Sequence, residues 1–302
     1  MTAPGGRTAG QRIPASRSGS PMPAWALITS VDVAVATAGN RRDRNEDAVG
    51  LNGWVVYGDE VNPLEVTLRV GSRRPAVVAV TDGIGGAPEG DRAARLAAAE
   101  LTARRREPTS TGALRHAFVA ANEVIMERTG EHNAGMGCTA AVLAVRSDGR
   151  VVVGNVGDAR AYRMVDGYLA QLTEDDRLSG NTVARCLGGR VHMPVDPHLY
   201  EVAVNPGDRL LLCTDGLYDA VPDAAIEGIL AGPADAGHKV AALVRAVLDS
   251  DWEDNVTVAL LRPNGPPIRP PAGQTSPDLR RALAPPVRAA EPGLIRRMLR
   301  RR

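Results

Sequence analysis

Short apolar runs of strand length recur along this chain, and two pairs of helical segments interrupt them. Tight turns at 147–149 and 166–167 join several of these runs, which favours antiparallel pairing. The order strands, two helices, strands, two helices, strand predicts an α+β fold: a four-layer αββα sandwich of two largely antiparallel sheets flanked by helix pairs. The predicted strands are 31–38, 48–56, 76–82, 138–146, 150–156, 159–164, 168–172, 199–204, 209–214 and 256–261, and the predicted helices are 89–106, 111–128, 223–230 and 237–248.

The two ends of the chain differ in composition from its middle. Residues 1–24 and 264–302 are rich in Gly, Pro and Arg and cannot bury a core, so we expect both to be disordered. Residues 25–263 contain no linker-like stretch and are expected to form one domain. The basic segment 293–302 has the pattern of an amphipathic helix that would contact an acidic partner or an anionic membrane surface; a solvated basic tail is the alternative.

The charge distribution, the cysteines and the apolar runs indicate which partners and which cellular location to expect. The formal net charge is +1, but the two ends are strongly basic, so the middle of the chain is net negative. A nucleic-acid-binding domain needs a basic face, and we therefore expect no nucleic-acid partner. Cys138, Cys186 and Cys213 show no paired spacing and are expected to be reduced. Without an apolar run of signal-peptide or bilayer-spanning type, the prediction is a cytoplasmic protein.

Carboxylates stand where several predicted strands end. Two of these strands stop at the same tripeptide, Thr-Asp-Gly, at 81–83 and 214–216. Carboxylates that converge beside apolar runs raise each other's proton affinity unless a cation holds them. Oxygen ligands without a His or Cys cluster indicate Mg²⁺ or Mn²⁺ rather than zinc, and a glycine after the aspartate lets a carbonyl turn inward as a further ligand. The carboxylates are Glu46, Asp47, Asp82, Asp158, Asp215 and Asp254.

Each of these motifs has a simpler interpretation when taken alone. A single Asp-Gly is most often a turn, Asp158 could be a turn residue, and 46–47 could be a solvated strand edge. Arg42 by itself would be an exposed arginine, but from four positions before Glu46 its planar fork could reach the same site and bind a phosphate. An arginine beside a two-metal carboxylate cluster is typical of phosphoester hydrolysis.

Seven segments in sequence order carry a family resemblance: RRDRNED, TDGIGG, GCTAAVL, VGNVGDARAY, LTEDDRL, CTDGLYD and EDNVTV. They resemble the motif series of the metal-dependent (type 2C) protein serine/threonine phosphatases of bacteria, over residues 30–262. The resemblance implies a β-sandwich flanked by helices with the metals at one end. It also implies phosphorylated Ser/Thr proteins as substrates, a bacterial Ser/Thr kinase among them, and a protein that acts as a monomer.

The resemblance further assigns ligands for two Mn²⁺ or Mg²⁺ ions. Asp82 would bridge the two ions. Glu46 and the Gly83 carbonyl would complete the ligands of one ion, and Asp215 and Asp254 those of the other. A water activated by the two metals would then attack the phosphorus in line.

Three further residues receive roles from the same resemblance. Asp47 would hold metal-bound water, Arg42 would hold the substrate phosphate, and Asp158 would help to bind a third, weaker metal. No protein nucleophile is needed, and the sequence has neither a Cys in a phosphate-cradling loop nor a Ser-His-Asp set.

The chain departs from the family pattern at several positions. Ile84 stands where eukaryotic members have a histidine, and Asp176 replaces the histidine of a Thr-x-Asp-His motif. Few residues separate Asp176 from 188–189, so the flap beside the site is shortened. Residues 53–74 look like an insertion that forms a surface loop.

Three alternative functions were weighed against this prediction. An inactive or weak scaffold of the same fold would normally have lost a metal aspartate, yet Asp82, Asp215 and Asp254 all remain. A phosphatase of a phosphorylated anti-sigma-factor antagonist would share the fold and chemistry, and the Arg42 motif favours general protein dephosphorylation. A dinucleotide-binding enzyme is excluded because Pro88 occupies the position of the third glycine.

Overall fold

The structure, a computed structural model, describes residues 27–84, 89–104, 108–128, 135–165, 167–178, 182–189 and 194–266. The predictions for 1–24 and 293–302, and the position of Pro88, lie outside these ranges. None of the helices within them is long and apolar enough to cross a membrane. The strands are β1 Ser30–Ala38, β2 Asp47–Leu51, β3 Trp54–Tyr57, β4 Glu60–Arg69, β5 Ala76–Gly83, β6 Gly137–Val145, β7 Arg150–Val156, β8 Arg160–Val165, β9 Tyr168–Gln171, β10 Leu187–Gly188, β11 His198–Ala203, β12 Arg209–Cys213 and β13 Val256–Asn264, and the helices are α1 Gly90–Leu101, α2 Thr111–Arg128, α3 Asp215–Tyr218, α4 Asp223–Ala231 and α5 Ala236–Leu248.

The described strands form two antiparallel sheets that lie face to face. The first sheet has the order β4-β1-β13-β12-β8-β9, and the second has the order β11-β7-β6-β5-β2-β3, with β10 paired to β6. One apolar core lies between the sheets, a second lies under α1 and α2, and a third lies under α3, α4 and α5. This arrangement confirms the predicted αββα sandwich.

The central strands explain why the sequence contains uninterrupted apolar runs. Every residue of β6 is buried, because the strand has a core on each face. Its alternate side chains divide accordingly: Leu143 joins the core between the sheets, whereas Val142 joins the core beneath the helices. Helix α1 approaches this sheet closely, since its buried face consists mainly of alanines and a Cβ on Gly50 would collide with the Ala98 carbonyl.

The predictions for residues 48–74 are wrong in two respects. The single strand predicted at 48–56 is a hairpin of β2 and β3, turned by Asn52 and Gly53, whose φ angles are 48° and 92°. The predicted surface loop at 53–74 contains β3 and the long strand β4. Strand β4 pairs with β1 at the edge of the first sheet, where most of its side chains are exposed, so its sequence lacks the apolar run that marks a central strand.

Smaller differences concern the ends of elements. Helix α1 ends at Leu101 rather than at 106, and strand β13 continues to Asn264, one residue past the predicted end of the domain. Helix α3 was not predicted, and it begins directly at Asp215. This short helix matters for the site because it turns the chain sharply at the end of β12.

Antiparallel topology brings the predicted site residues to one edge of the sandwich. Strand β2 begins at Asp47 and β5 ends at Gly83, so the two meet at the same edge, with Asp47 directly opposite Asp82. The turn between β7 and β8, the end of β12 and the start of β13 reach this edge from the other strands. They carry Asp158, Asp215 and Asp254.

Candidate active site

The two Thr-Asp-Gly segments deliver their aspartates to a common site, one from each sheet. The Thr214 hydroxyl donates a hydrogen bond to Asp47 Oδ2 over 2.9 Å and accepts one from the Thr257 amide over 3.0 Å. Thr81, at the corresponding place in the second sheet, bonds to backbone carbonyls of β2 and α1. Both threonines are therefore buried and satisfied, and each ties the end of its strand to neighbouring elements.

The glycines of these segments are required by close backbone contacts. A Cβ on Gly216 would collide with the carbonyl oxygen of Asn255, and one on Gly83 would lie 2.5 Å from the carbonyl carbon of Gly90. The Gly83 amide also donates to the Glu46 carbonyl over 3.1 Å. The two turns thus hold Glu46, Asp82 and Asp215 at fixed positions.

Burial and mutual repulsion dominate the electrostatics of this edge. Desolvation first, and then the charges of Asp47, Asp215, Asp158 and Asp254, raise the pKa of Asp82 well above its usual value. Because all four of these carboxylates act on Asp82, it lies at the centre of the cluster. Its side chain nevertheless keeps some access to solvent, as a group that faces a cleft would.

The same causes act on other members of the cluster. Burial, opposed by hydrogen bonds from Thr257 and Thr214, raises the pKa of Asp47 to about 7. Burial and the charges of Asp158 and Asp254 raise the pKa of Asp215 to about 6. The pKa of Glu46 is also raised, by burial and by Asp91.

These shifts predict how the stability of the metal-free protein depends on pH. The folded state binds the protons of Asp47 and Asp215 more tightly than the unfolded chain does, so the free energy of unfolding should fall as pH rises from about 4 to about 7. A divalent cation would remove this penalty. Thermal unfolding of chelator-treated protein should therefore give a lower Tm at about pH 8 than at about pH 5. Added Mn²⁺ should raise the Tm more at the higher pH; a metal-free Tm that rises across this window would contradict the prediction.

Two arginines hold the outer carboxylates of the cluster. Arg42 Nη2 lies 2.8 Å from Asp254 Oδ2, and Arg177 Nη2 lies 2.7 Å from Asp215 Oδ2. Within the described ranges, no three His, Cys, Asp or Glu side chains are arranged to enclose a metal ion. In this arrangement each guanidinium is the counterion of one outer carboxylate.

One buried carboxylate oxygen of the cluster nevertheless has the environment expected beside a metal ion that carries a bound water. Asp47 is 1% exposed, and its Oδ1 has no hydrogen-bond partner among the described residues. The neighbouring carboxyl of Asp82 could donate to it only when protonated. A buried carboxylate oxygen without a donor is costly, and a water held at the cluster would satisfy it.

Asn255 organises the loop that carries Arg42 and Glu46, and the sequence analysis assigned it no role. Its Oδ1 accepts from the Glu46 amide over 2.9 Å, and its Nδ2 donates to the carbonyls of Gly39 and Arg44 over 3.0 and 3.1 Å. The position of Asn255 directly after Asp254, in the segment EDNVTV, is the sequence feature that could have indicated this role.

The structure also shows what replaces the missing histidine of the Thr-x-Asp-His motif. Asp176 Oδ2 accepts from the Gly157 amide over 3.1 Å, and its Oδ1 lies 2.9 Å from His198 Nε2. The Asp176 side chain thus holds the turn that carries Asp158. His198, on β11, is a partner that sequence spacing could not identify.

Residues on the two sides of the predicted flap position pair with each other. Arg177 and Val183 form an isolated bridge, and the Leu178 amide donates to the Thr182 carbonyl over 2.9 Å. Residues 179–181 lie outside the described ranges.

Comparison with known proteins agrees with this geometry. The family described as protein phosphatase 2C matches residues 65–248. Serine/threonine phosphatase stp of Listeria monocytogenes is 30% identical over 251 residues, which cover 74% of this chain and 92% of that protein. Serine/threonine protein phosphatase PstP of Mycobacterium tuberculosis is 30% identical over 213 residues, which cover 61% of this chain and 40% of that protein.

A solved structure of a relative has the same fold as this chain. The catalytic domain of PstP in complex with two manganese ions aligns with a TM-score of 0.62 at 27% identity, covering 78% of this chain and all of that one. The family match spans more than half of the chain, and the carboxylates of the quoted motifs converge at one edge of the sandwich. The chain therefore belongs to the protein phosphatase 2C family, among its bacterial protein serine/threonine phosphatases.

Proposed function

We propose that this protein hydrolyses phosphoserine and phosphothreonine in proteins, with a water that two divalent metal ions activate for in-line attack. The observation that carries the proposal is the convergence of carboxylates on Asp82, with the unpartnered oxygen of Asp47 beside it. The relatives named as serine/threonine phosphatases support phosphoproteins as substrates. A scaffold without activity would be expected to lack one of the proposed metal carboxylates, and the sequence keeps Asp82, Asp215 and Asp254.

The residues that would hold the two ions are those of the carboxylate cluster. Glu46, Asp82 and the Gly83 carbonyl would serve one ion, and Asp82, Asp215 and Asp254 the other. Bound there, two such ions lower the pKa of a shared water and neutralise charge on a phosphoryl group. The two manganese ions bound by PstP support Mn²⁺, with Mg²⁺ as the alternative.

Arg42 would orient the substrate phosphate. Its side chain is 48% exposed at the mouth of the site, and its present partner is Asp254. If Asp254 served a metal ion instead, the Arg42 guanidinium would be available to bind two phosphate oxygens through its planar fork. Asp47 Oδ1 would accept a hydrogen bond from the attacking water and so fix its position.

A cavity of about 270 Å³ next to Asp47 would take the side chains that flank the phosphorylated residue. Its lining includes Arg44, Tyr57 and Arg95, and the Arg95 guanidinium lies 4.9 Å from the centre of the Tyr57 ring. The lining also includes Asp47 and Asp91, and Asp91 pairs with Arg95 over 2.9 Å, so the cavity is lined by both charge signs and an aromatic ring. The proposed substrates include a phosphorylated bacterial Ser/Thr kinase.

Arg42→Ala tests the proposed role of Arg42 against a matched neighbour. We expect kcat/KM for a phosphothreonine peptide to fall about 10- to 100-fold, equivalent to about 1.4–2.7 kcal/mol, mainly through KM. Arg41→Ala is the control, because Arg41 is also exposed but, among the described residues, its side chain donates only to the Ser250 carbonyl, over 3.2 Å. Phosphate release would be measured with Mn²⁺ and with chelator. Equal losses in the two variants, or release that is independent of metal, would contradict the proposal.

A further inference from the structure

Arg177 lies among three carboxylates at the edge of the site. Its Nε is 2.7 Å from Asp158 Oδ2, its Nη2 is 2.7 Å from Asp215 Oδ2 and from Asp219 Oδ2, and its Nη1 is 3.2 Å from Asp219 Oδ1. A guanidinium has five N–H groups, and the described contacts occupy most of them. Arg177 therefore connects the turn after β7 to both ends of α3.

We propose that the Arg177 guanidinium is a built-in cation that takes the place of a third metal ion between Asp158 and Asp215. The inference rests on the proposed dimetal function and refines it. A metal at this place would have to bind the same two carboxylates whose oxygens Arg177 already occupies. The protein should accordingly bind two divalent ions and not three, and the third-metal role predicted for Asp158 would pass to Arg177.

The surroundings of Arg177 hold it in position. The Tyr218 hydroxyl donates to the Asp158 carbonyl over 2.8 Å, and the Tyr218 ring centre lies 5.4 Å from the guanidinium carbon of Arg177. Arg160 stacks closely on the same ring and pairs with Asp175. Arg177 is only 20% exposed, so it is a packed part of the site rather than a mobile surface side chain.

The arrangement leaves a metal position intact. Arg177 contacts only Oδ2 of Asp215, which leaves Oδ1 free to bind a metal shared with Asp82. Asp158 is 2% exposed and has no other cationic partner among the described contacts, so it depends on Arg177 for its counter-charge. Removing the guanidinium would leave Asp158 and Asp215 as adjacent buried carboxylates, which attract a divalent cation.

The test is the number of Mn²⁺ ions bound by the full chain, measured by calorimetry and by electron paramagnetic resonance of free Mn²⁺. We expect two ions in the wild type and three in Arg177→Ala. Arg177→Gln keeps a polar side chain without its charge and should also bind three Mn²⁺ ions. This variant replaces Arg177→Ala in the test if the alanine variant does not fold. The double variant Arg177→Gln/Asp158→Asn should return to two.

Arg146→Ala is the matched control. Arg146 is a partly buried arginine that bridges Asp148 and Glu201 at the opposite end of β6, so its removal should leave two bound ions. Three ions in the wild type, two in both single Arg177 variants, or three in the Arg146 variant would each overturn the inference. No bound ion in the folded wild type would overturn the proposed dimetal function itself, and the inference with it.

Discussion

Asp82→Asn is expected to abolish Mn²⁺-dependent phosphate release from a phosphothreonine peptide. We expect kcat/KM to fall at least about a thousandfold, or about 4 kcal/mol in activation free energy. The reason is the central position of Asp82, whose pKa responds to the charges of four other carboxylates. An amide there cannot bridge two cations by charge, so the bound Mn²⁺ should be lost together with the activity.

The same substitution should lower activity but should not lower the stability of the metal-free protein. Without metal, Asn removes one of several repelling buried charges, so the Tm of the chelator-treated variant at about pH 8 should equal or exceed that of the wild type. Asp148→Asn is the control, since it changes another Asp-Gly pair that lies in the turn after β6 and pairs with Arg146. It should keep activity within about twofold, because this partly exposed ion pair lies at the end of β6 away from the cluster. A less stable but active Asp82→Asn protein would refute the assignment.

Asn255→Ala should damage both the stability and the activity of the enzyme. The substitution removes three hydrogen bonds from a side chain that is 6% exposed and leaves the Glu46 amide without its acceptor. We expect a loss of about 3 kcal/mol, which for a domain of this size lowers the Tm by about 6–12 °C. The loop of Arg42 and Glu46 is released at the same time, so kcat/KM should fall by about tenfold or more at a temperature where the variant is folded.

Asn122→Ala is the matched control for this loss. Asn122 is partly buried, whereas Asn255 is buried, and among the described contacts the Asn122 side chain accepts a single hydrogen bond, from the Gly188 amide over 2.8 Å. Its removal should cost about 1 kcal/mol. Thermal unfolding and peptide dephosphorylation, measured on both variants at saturating Mn²⁺, compare the two positions. Similar effects at Asn255 and Asn122 would mean that the loop does not depend on Asn255.

The layers of the fold were predictable because most strands are continuous apolar runs. Strands β5 and β6 are buried on both faces, and their sequences contain almost no polar residue to obscure the pattern. Strand β4 was missed for the opposite reason, since it is an edge strand with exposed polar side chains and Pro63. The hairpin of β2 and β3 had a local signal in Asn52-Gly53 that the prediction overlooked.

The site was predictable as far as its residues lie in recognisable motifs. The six carboxylates and Arg42 stand beside strand ends, and the structure brings them to one edge. Their assigned roles stay predictions. Arg177, Asn255 and His198 were missed because their partners are distant in sequence, as with Arg177 and Asp219, 42 positions apart. Long-range pairing of this kind depends on topology and has no local periodicity to reveal it.

The burial of β5 and β6 on both faces has a consequence for how the enzyme loses its metals. Amide protons in such strands exchange with solvent only when the whole domain opens, because no local fraying exposes them. Asp82 and Gly83 are the last residues of β5, so two of the proposed metal ligands are attached to one of the most buried strands of the domain. We therefore expect chelation to remove metal ions from the proposed site without unfolding β5 and β6, so that added Mn²⁺ can bind again.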